Sequence, residues 1–172
     1  MSDRQFVPLS VAVLTVSDSR TEADDRSGRT LVERLEKAGH RCAGKLIVPD
    51  DVYRIRAAVS HWIADPAVQV VITTGGTGVT GRDGTPEAVQ PLLDKVIHGF
   101  GETFRAISWR QIGASTIQSR ALAGVANGTY VFSLPGSTGA CVTAWDELIA
   151  PQLDFRTRPC NLVELMPRLT ET

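Results

Sequence analysis

Val68-Gln-Val-Val-Ile-Thr-Thr-Gly-Gly-Thr-Gly-Val-Thr-Gly-Arg-Asp-Gly-Thr-Pro-Glu-Ala88 decides how the chain is read. Its β-branched run, Val70-Val71-Ile72, has the make-up of a buried strand. Thr85-Pro86-Glu87 spells a helix start: a hydroxyl cap, a proline at the first helical position and an acid in the first turn. Between them Gly75, Gly76, Gly78 and Gly81 lead into Arg82-Asp83-Gly84. Glycines in a strand-to-helix turn let backbone amides approach an anion with no Cβ in the way. One or two of them would only make a tight turn. Four, mixed with threonines and ending on Arg-Asp, point to a bound ligand.

The flanking sequence supplies more strands and helices in alternation. Upstream, Ser10–Ser17 reads as a central strand that runs into Asp18-Ser19-Arg20 and a polar loop through Asp24, Asp25, Ser27 and Gly28. Leu31, Val32, Leu35 and Ala38 keep helical spacing up to Gly39, and Arg41–Val48 is a second strand. Pro49-Asp50-Asp51 then opens a helix with Val52, Ile55, Val59, Trp62 and Ile63 on one face.

Downstream, Val89, Leu92, Leu93 and Val96 continue a helical pattern that Pro91 should kink or break. A further helix is expected from Gly99 onward, with Phe104, Ile107 and Trp109 on its apolar side. Asn127-Gly128 is a strong hairpin signal between strands at Ala121–Ala126 and Thr129–Leu134. Ser137, after Pro135-Gly136, should cap a helix through Val142, Trp145, Leu148 and Ile149, which Pro151 ends or kinks. Such alternation implies a single α/β domain over 1–172: a three-layer α/β/α sandwich, its mixed sheet mostly parallel with one antiparallel strand from the late hairpin. Residues 1–8 and 162–172 are expected as peripheral tails.

Composition narrows the function classes. A net charge of −1 leaves no electrostatic footprint for nucleic acid. No apolar run reaches the ~20 residues that span a bilayer, and Met1-Ser-Asp-Arg-Gln-Phe6 lacks the design of a secretory signal. Cys42, Cys141 and Cys160 are odd in number and show no metal-ligand spacing, so a reducing, cytoplasmic setting is expected, with each thiol a small buried hydrophobe. His40, His61 and His98 are scattered and read as surface or packing residues.

In a parallel sheet ligands collect at the carboxyl ends of the strands. That rim gathers Asp18–Arg20, Pro49–Asp51, Gly75–Asp83 and Pro135–Ser137. Gly76–Gly81 formally matches G-x-G-x-x-G, but the helix starts only after Arg82-Asp83-Gly84, which argues against a dinucleotide. Asp50 and Asp83 instead suggest a magnesium pair, since this ion takes few protein carboxylates and fills its shell with water and substrate phosphates. Beside an anion cradle, that pairing suits phosphoryl or nucleotidyl transfer. Of the two neighbouring acids, Asp51 lies next to the helical pattern and is expected as the helix cap, which leaves Asp50 free. One alternative stays open: Asp83 could pair locally with Arg82. Ser137 could hold an anion as well as cap its helix.

Taken together, these residues resemble the MoaB/MogA family of molybdenum cofactor biosynthesis proteins. The likeness is carried by Thr15-Val-Ser-Asp-Ser-Arg20, Asp25-Arg-Ser-Gly28, Thr73-Thr-Gly-Gly-Thr-Gly78, Arg82-Asp83 with Thr85-Pro-Glu87, Gly99-Phe-Gly-Glu102, Ser119-Arg120 and Leu134-Pro-Gly-Ser137. The segment Ala150–Asn161 is similar to the MoaB branch.

The resemblance implies that molybdopterin attacks the α-phosphate of MgATP and releases pyrophosphate. It implies Asp50 and Asp83 as functional aspartates acting through magnesium. Phosphate or pterin contacts would fall to Ser17, Asp18, Gly75, Gly76, Thr77, Gly78, Arg82, Ser119, Arg120, Pro135, Gly136 and Ser137. Homotrimers or trimer-based hexamers are implied as well. A non-catalytic molybdopterin-binding or carrier protein of the same pathway is the alternative.

Overall fold

A computed structural model describes residues 4–172. Six strands form one sheet in the order β2-β1-β3-β6-β5-β4. They are β1 (Ser10–Val16), β2 (Arg41–Val48), β3 (Val70–Thr74), β4 (Lys95–Val96), β5 (Leu122–Ala126) and β6 (Thr129–Leu134). β1 pairs in parallel with β2 and β3, and β3 pairs in parallel with β6. The Asn127-Gly128 turn, with both residues at positive φ, folds β5 back antiparallel to β6. The mixed three-layer architecture is as the sequence implies.

Strand alternation divides the core in two. Val11 and Val13 of β1 with Val70 and Ile72 of β3 face one side, against Leu31 and Leu35 of α1 (Arg26–Lys37) and Phe100 and Phe104 of α4 (His98–Ile112). Trp145 and Ile149 complete that layer. Ala12, Leu14 and Val71 face the other side, against Ile55, Val59 and Trp62 of α2 (Val52–Ala64) and Ala88 and Val89 of α3 (Thr85–Val89).

The helix after Pro86 breaks at Pro91 as expected: it stops at Val89, passes through a 3₁₀ turn at Gln90–Leu92 and gives way to β4. Pro91 cannot donate into a helix and its ring crowds the preceding turn. Other local expectations change. Val96 is a half-exposed strand residue, not part of a helical face. Trp109 is exposed, because Phe100, Phe104 and Ser108 make the buried stripe of α4.

Pro151 lies in the last turn of its helix, which ends at Gln152. α5 (Thr138–Ala144) continues through a π turn at Trp145–Ile149 into α6 (Ala150–Gln152), and the wider π turn makes room for the proline ring. Cys160 is exposed in the polar loop before α7 (Leu162–Leu165), so only Cys141 is a fully buried thiol.

The segment 162–172, expected as a peripheral tail, packs onto the core. Val163 is buried in the core, Leu162, Met166 and Leu169 pack against it, and Tyr130 Oη donates to the Leu162 carbonyl at 2.8 Å. At the other end residues 1–3 of the expected tail lie outside the described residues, while Arg4 reaches Glu164 at 2.7 Å. Among the described residues no helix is long and apolar enough to cross a membrane.

Candidate functional site

β1 is the topological switch point. The chain leaves it through α1 to β2 on one side, and β3 lies on the other. Loops departing the carboxyl ends of β1 and β3 diverge there and open a crevice. Thr15 pairs with Thr74, which brings Gly75 beside Val16. Gly75 has φ +104°, and a Cβ there would collide with the Val16 carbonyl. At Gly76, with φ +65°, a Cβ would stand 2.5 Å from both Asp50 Oδ1 and Thr85 Oγ1. Only glycine makes this turn without strain or collision.

Thr85 does not cap α3 as expected. Gly84 holds the cap position, and Thr85 lies inside the helix, donating Oγ1 to the Gly75 carbonyl at 2.8 Å and its amide to the Gly76 carbonyl at 3.0 Å. The hydroxyl thus ties the helix back onto the glycine turn.

Asp51 caps α2 as expected. Asp51 Oδ1 accepts from the amides of Tyr53 and Arg54, both at 2.9 Å, which leaves the Asp50 carboxylate free. Asp50 Oδ1 is a buried oxygen with no hydrogen-bond partner among the described residues. Burial raises the Asp50 pKa above its ordinary value, and the nearby Asp18 and Asp83 carboxylates add to the rise.

Asp83 is the opposite case. Its carboxylate accepts from Thr80 Oγ1 at 2.6 Å and from the Thr80 amide at 2.8 Å, bonds that pull its pKa down. The local Arg82–Asp83 pair left open by the sequence does not form. Arg82 turns to Asp18, with Nη2 at 2.7 Å from Oδ1 and Nε at 2.9 Å from Oδ2. Asp18 Oδ1 also accepts the Asp50 amide at 2.9 Å.

A cavity of about 620 Å³ opens over this crevice. Of the expected site residues, Ser17, Asp50, Gly75, Gly76, Thr77, Gly78, Asp83, Ser119, Pro135, Gly136 and Ser137 line it. Ser137 also caps α5, accepting from the Ala140 amide at 3.2 Å. Asp18 and Arg82 do not line the cavity; they form an exposed ion pair with each other.

Arg120 is also absent from the lining, and its donors are already engaged. Nε reaches the Gly78 carbonyl at 2.8 Å, Nη2 reaches the Asp83 carbonyl at 3.0 Å, and the guanidinium pairs with Glu87. It buckles the glycine turn across its width.

Sequence reasoning missed the opposite wall. α4 and the 3₁₀ turn Gly113–Gln118 contribute Phe104, Ser108, Gln111, Ser115, Thr116 and Gln118. The signal was present in the run of hydroxyl and amide side chains from Gln111 to Ser119, which resembles an ordinary polar loop. Arg20 was placed on the rim by the sequence but not among the expected contacts. It lines the cavity, donating Nη1 to Ser27 Oγ at 2.5 Å and Nη2 to the Gly136 carbonyl at 3.0 Å.

Beneath the rim, a further aspartate fixes the frame. Asp25 is fully buried, caps α1 through the Gly28 amide at 3.0 Å, accepts from Thr15 Oγ1 at 2.8 Å and pairs with Lys45 Nζ at 2.7 Å. Burial alone would raise its pKa, but Lys45, the Gly28 amide and Thr15 bring it below the ordinary value.

Among the described residues no three His, Cys, Asp or Glu side chains converge to hold a metal unaided. The residues do fit an ion that takes one or two carboxylates and leaves its other positions to phosphate and water. Asp50 Oδ1 is an orphaned carboxylate oxygen that Asp18 and Asp83 repel, so a cation there would relieve both the missing bond and the repulsion.

The profile described as "Probable molybdopterin binding domain" matches residues 12–154. The chain is 57% identical over 157 residues to molybdenum cofactor biosynthesis protein B of Escherichia coli (strain K12), with 91% of this chain and 92% of that protein covered. The chain belongs to the MoaB/MogA family of molybdenum cofactor biosynthesis proteins. A crystal structure of a molybdenum cofactor biosynthesis protein B superposes with a TM-score of 0.86 at 42% identity, covering 96% of this chain and 98% of the other. The tungsten cofactor synthesizing protein MoaB of Pyrococcus furiosus superposes at 0.76 and 40% identity, covering 83% and 91%. The profile match takes in every cavity residue from Val16 to Ala140, so the MoaB/MogA likeness extends over the whole site.

Proposed function

We propose that the protein acts in molybdenum cofactor biosynthesis by transferring the adenylyl group of ATP to molybdopterin in a magnesium-dependent reaction. The observation that carries this reading is Asp50 Oδ1, a buried carboxylate oxygen without a partner beside a glycine turn with room for phosphate. Such an atom is costly to an apo protein and suits one that meets a cation with its substrate. A phosphate oxygen of the pterin would bond to the α-phosphorus of ATP. The bond from that phosphorus to the bridging oxygen would break, and pyrophosphate would leave with the electron pair.

Asp50 and Asp83 would hold magnesium, which supplies charge neutralisation on the phosphates. Gly75, whose own amide is held by the Leu134 carbonyl at 3.0 Å, would shape the turn so that Gly76, Thr77 and Gly78 lie against a phosphate, and Thr80 keeps Asp83 ionised and aimed. Ser17, Ser119 and Ser137 offer hydroxyls from three loops around the same cavity. The wall of Ser108, Gln111 and Gln118 offers donors and acceptors for a heteroaromatic ring, with Phe104 as an apolar surface. Trimers or trimer-based hexamers would cover exposed apolar side chains such as Trp109, Ile112 and Ile117; sedimentation of the purified protein as a monomer would count against that assembly.

Purified protein given molybdopterin and MgATP should release pyrophosphate. Asp83→Asn should lose at least about a hundredfold in turnover, as removal of a charged group that acts on transferring phosphate does, while still binding the pterin. The profile's own description, a molybdopterin-binding domain, favours a second reading as a binding or carrier protein. Saturable pterin binding with no pyrophosphate would establish that reading and overturn adenylyl transfer.

A further inference from the structure

The cavity has an electrostatic gap that Asp50 and Asp83 do not fill. The substrates of the proposed reaction carry several negative charges, yet two of the three charged residues on the lining are carboxylates. Arg20 is the single basic residue among the described residues lining it. Arg82 and Arg120, the basic residues that the sequence makes prominent, are held by Asp18 and by Glu87 with the Gly78 and Asp83 carbonyls.

We infer that Arg20 is a phosphate-binding residue of this site, taking a phosphate group of either the pterin or the nucleotide. This rests on the adenylyl-transfer reading for the identity of those two ligands.

The geometry gives Arg20 a fixed position. Its guanidinium is tied at one end to Ser27 Oγ and at the other to the Gly136 carbonyl. Asp25 Oδ1 lies behind it at 4.0 Å, while Lys45 already neutralises that carboxylate. Two of its five N–H donors are used, so three are left for an anion. Gly136 packs against the glycine turn so closely that a Cβ there would lie 3.2 Å from Gly75 Cα. The guanidinium is thereby anchored next to the backbone amides of the cradle. With its side chain one-third exposed, it can reach solvent-borne ligands without an unaided burial of charge. Arginine is suited to this role because its planar fork matches the oxygens of phosphate.

The test is a titration of molybdopterin, MgATP and inorganic pyrophosphate, each separately, into wild type, Arg20→Gln and Arg20→Lys at low and moderate salt. Arg20→Gln should bind at least one of the three about tenfold more weakly and with a shallower salt dependence. Arg20→Lys should fall between, because it keeps the charge and loses the fork. A loss confined to molybdopterin places Arg20 on the pterin phosphate, a loss confined to ATP and pyrophosphate places it on the nucleotide, and either supports the inference. Equal affinities of wild type and Arg20→Gln for all three would overturn it. So would equal damage by Gln and Lys, which would mark Arg20 as a loop tether alone. Should wild type bind neither ATP nor molybdopterin, adenylyl transfer fails, and the pyrophosphate titration still decides Arg20.

Discussion

Asp25 and Asp50 sit at the same end of the same sheet and are treated in opposite ways. Asp25 has every need met: Lys45, Thr15 Oγ1 and the Gly28 amide surround a carboxylate with no exposure at all. Asp50 keeps a buried oxygen unpaired and has Asp18 and Asp83 for neighbours. The fold can satisfy a buried carboxylate, and does so one loop away. The bare oxygen at Asp50 is therefore a property of that position, and a cation arriving with a phosphate is the partner that fits it.

Breaking the paired member should have the largest effect. Lys45→Met leaves the Asp25 charge buried without its counterion, and a loss of about 3–5 kcal/mol in unfolding free energy is expected from chemical denaturation. Asp25→Asn should cost less, about 2 kcal/mol, because Lys45 is part-exposed and retains Glu22 at 2.8 Å.

Acid should separate the two aspartates as well. The folded pKa of Asp25 is depressed, so its contribution is present above the unfolded carboxylate range and lost as pH falls through the folded value. Stability measured against pH should show that acid-side loss in wild type and a reduced one in Asp25→Asn. At Asp50 the folded pKa is raised, so its charge penalises folding more as pH rises. Asp50→Asn should then stabilise the apo protein by about 1 kcal/mol near neutrality, or roughly 2–4 °C in Tm, and the gain should vanish in acid. A neutral or negative change at pH 7 would sharpen the comparison against this account, since it would mean that Asp50 is already compensated.

The sequence carried the fold because its local signals agreed. β-branched runs, Asp51 as a cap, Gly39 after its helix and the Asn127-Gly128 turn all pointed to one α/β arrangement. Where signals conflicted, only part was readable. Pro91 announced the break in the helical spacing of Val89–Val96, but the pairing with β5 that takes Lys95 and Val96 into a strand was not legible. Thr85 looks like a cap and is spent on Gly75.

The site was legible where residues act through a loop next to a strand end, as with Asp50 and the glycine turn. It was illegible where partners are distant in the chain. Nothing local says that Arg120 will buckle Gly78 to Asp83, 42 and 37 residues away, or that Arg82 will choose Asp18 over its neighbour. The far wall from Gln111 to Gln118 escaped notice because a 3₁₀ turn of small polar residues has no periodicity to read.

The most direct test takes wild type and Asp50→Asn from parallel preparations and measures both Tm and pyrophosphate release from molybdopterin and MgATP. The account predicts that the Asn variant melts higher than wild type and releases pyrophosphate at least about a hundredfold more slowly. An Asp50→Asn variant that turns over at the wild-type rate would contradict it.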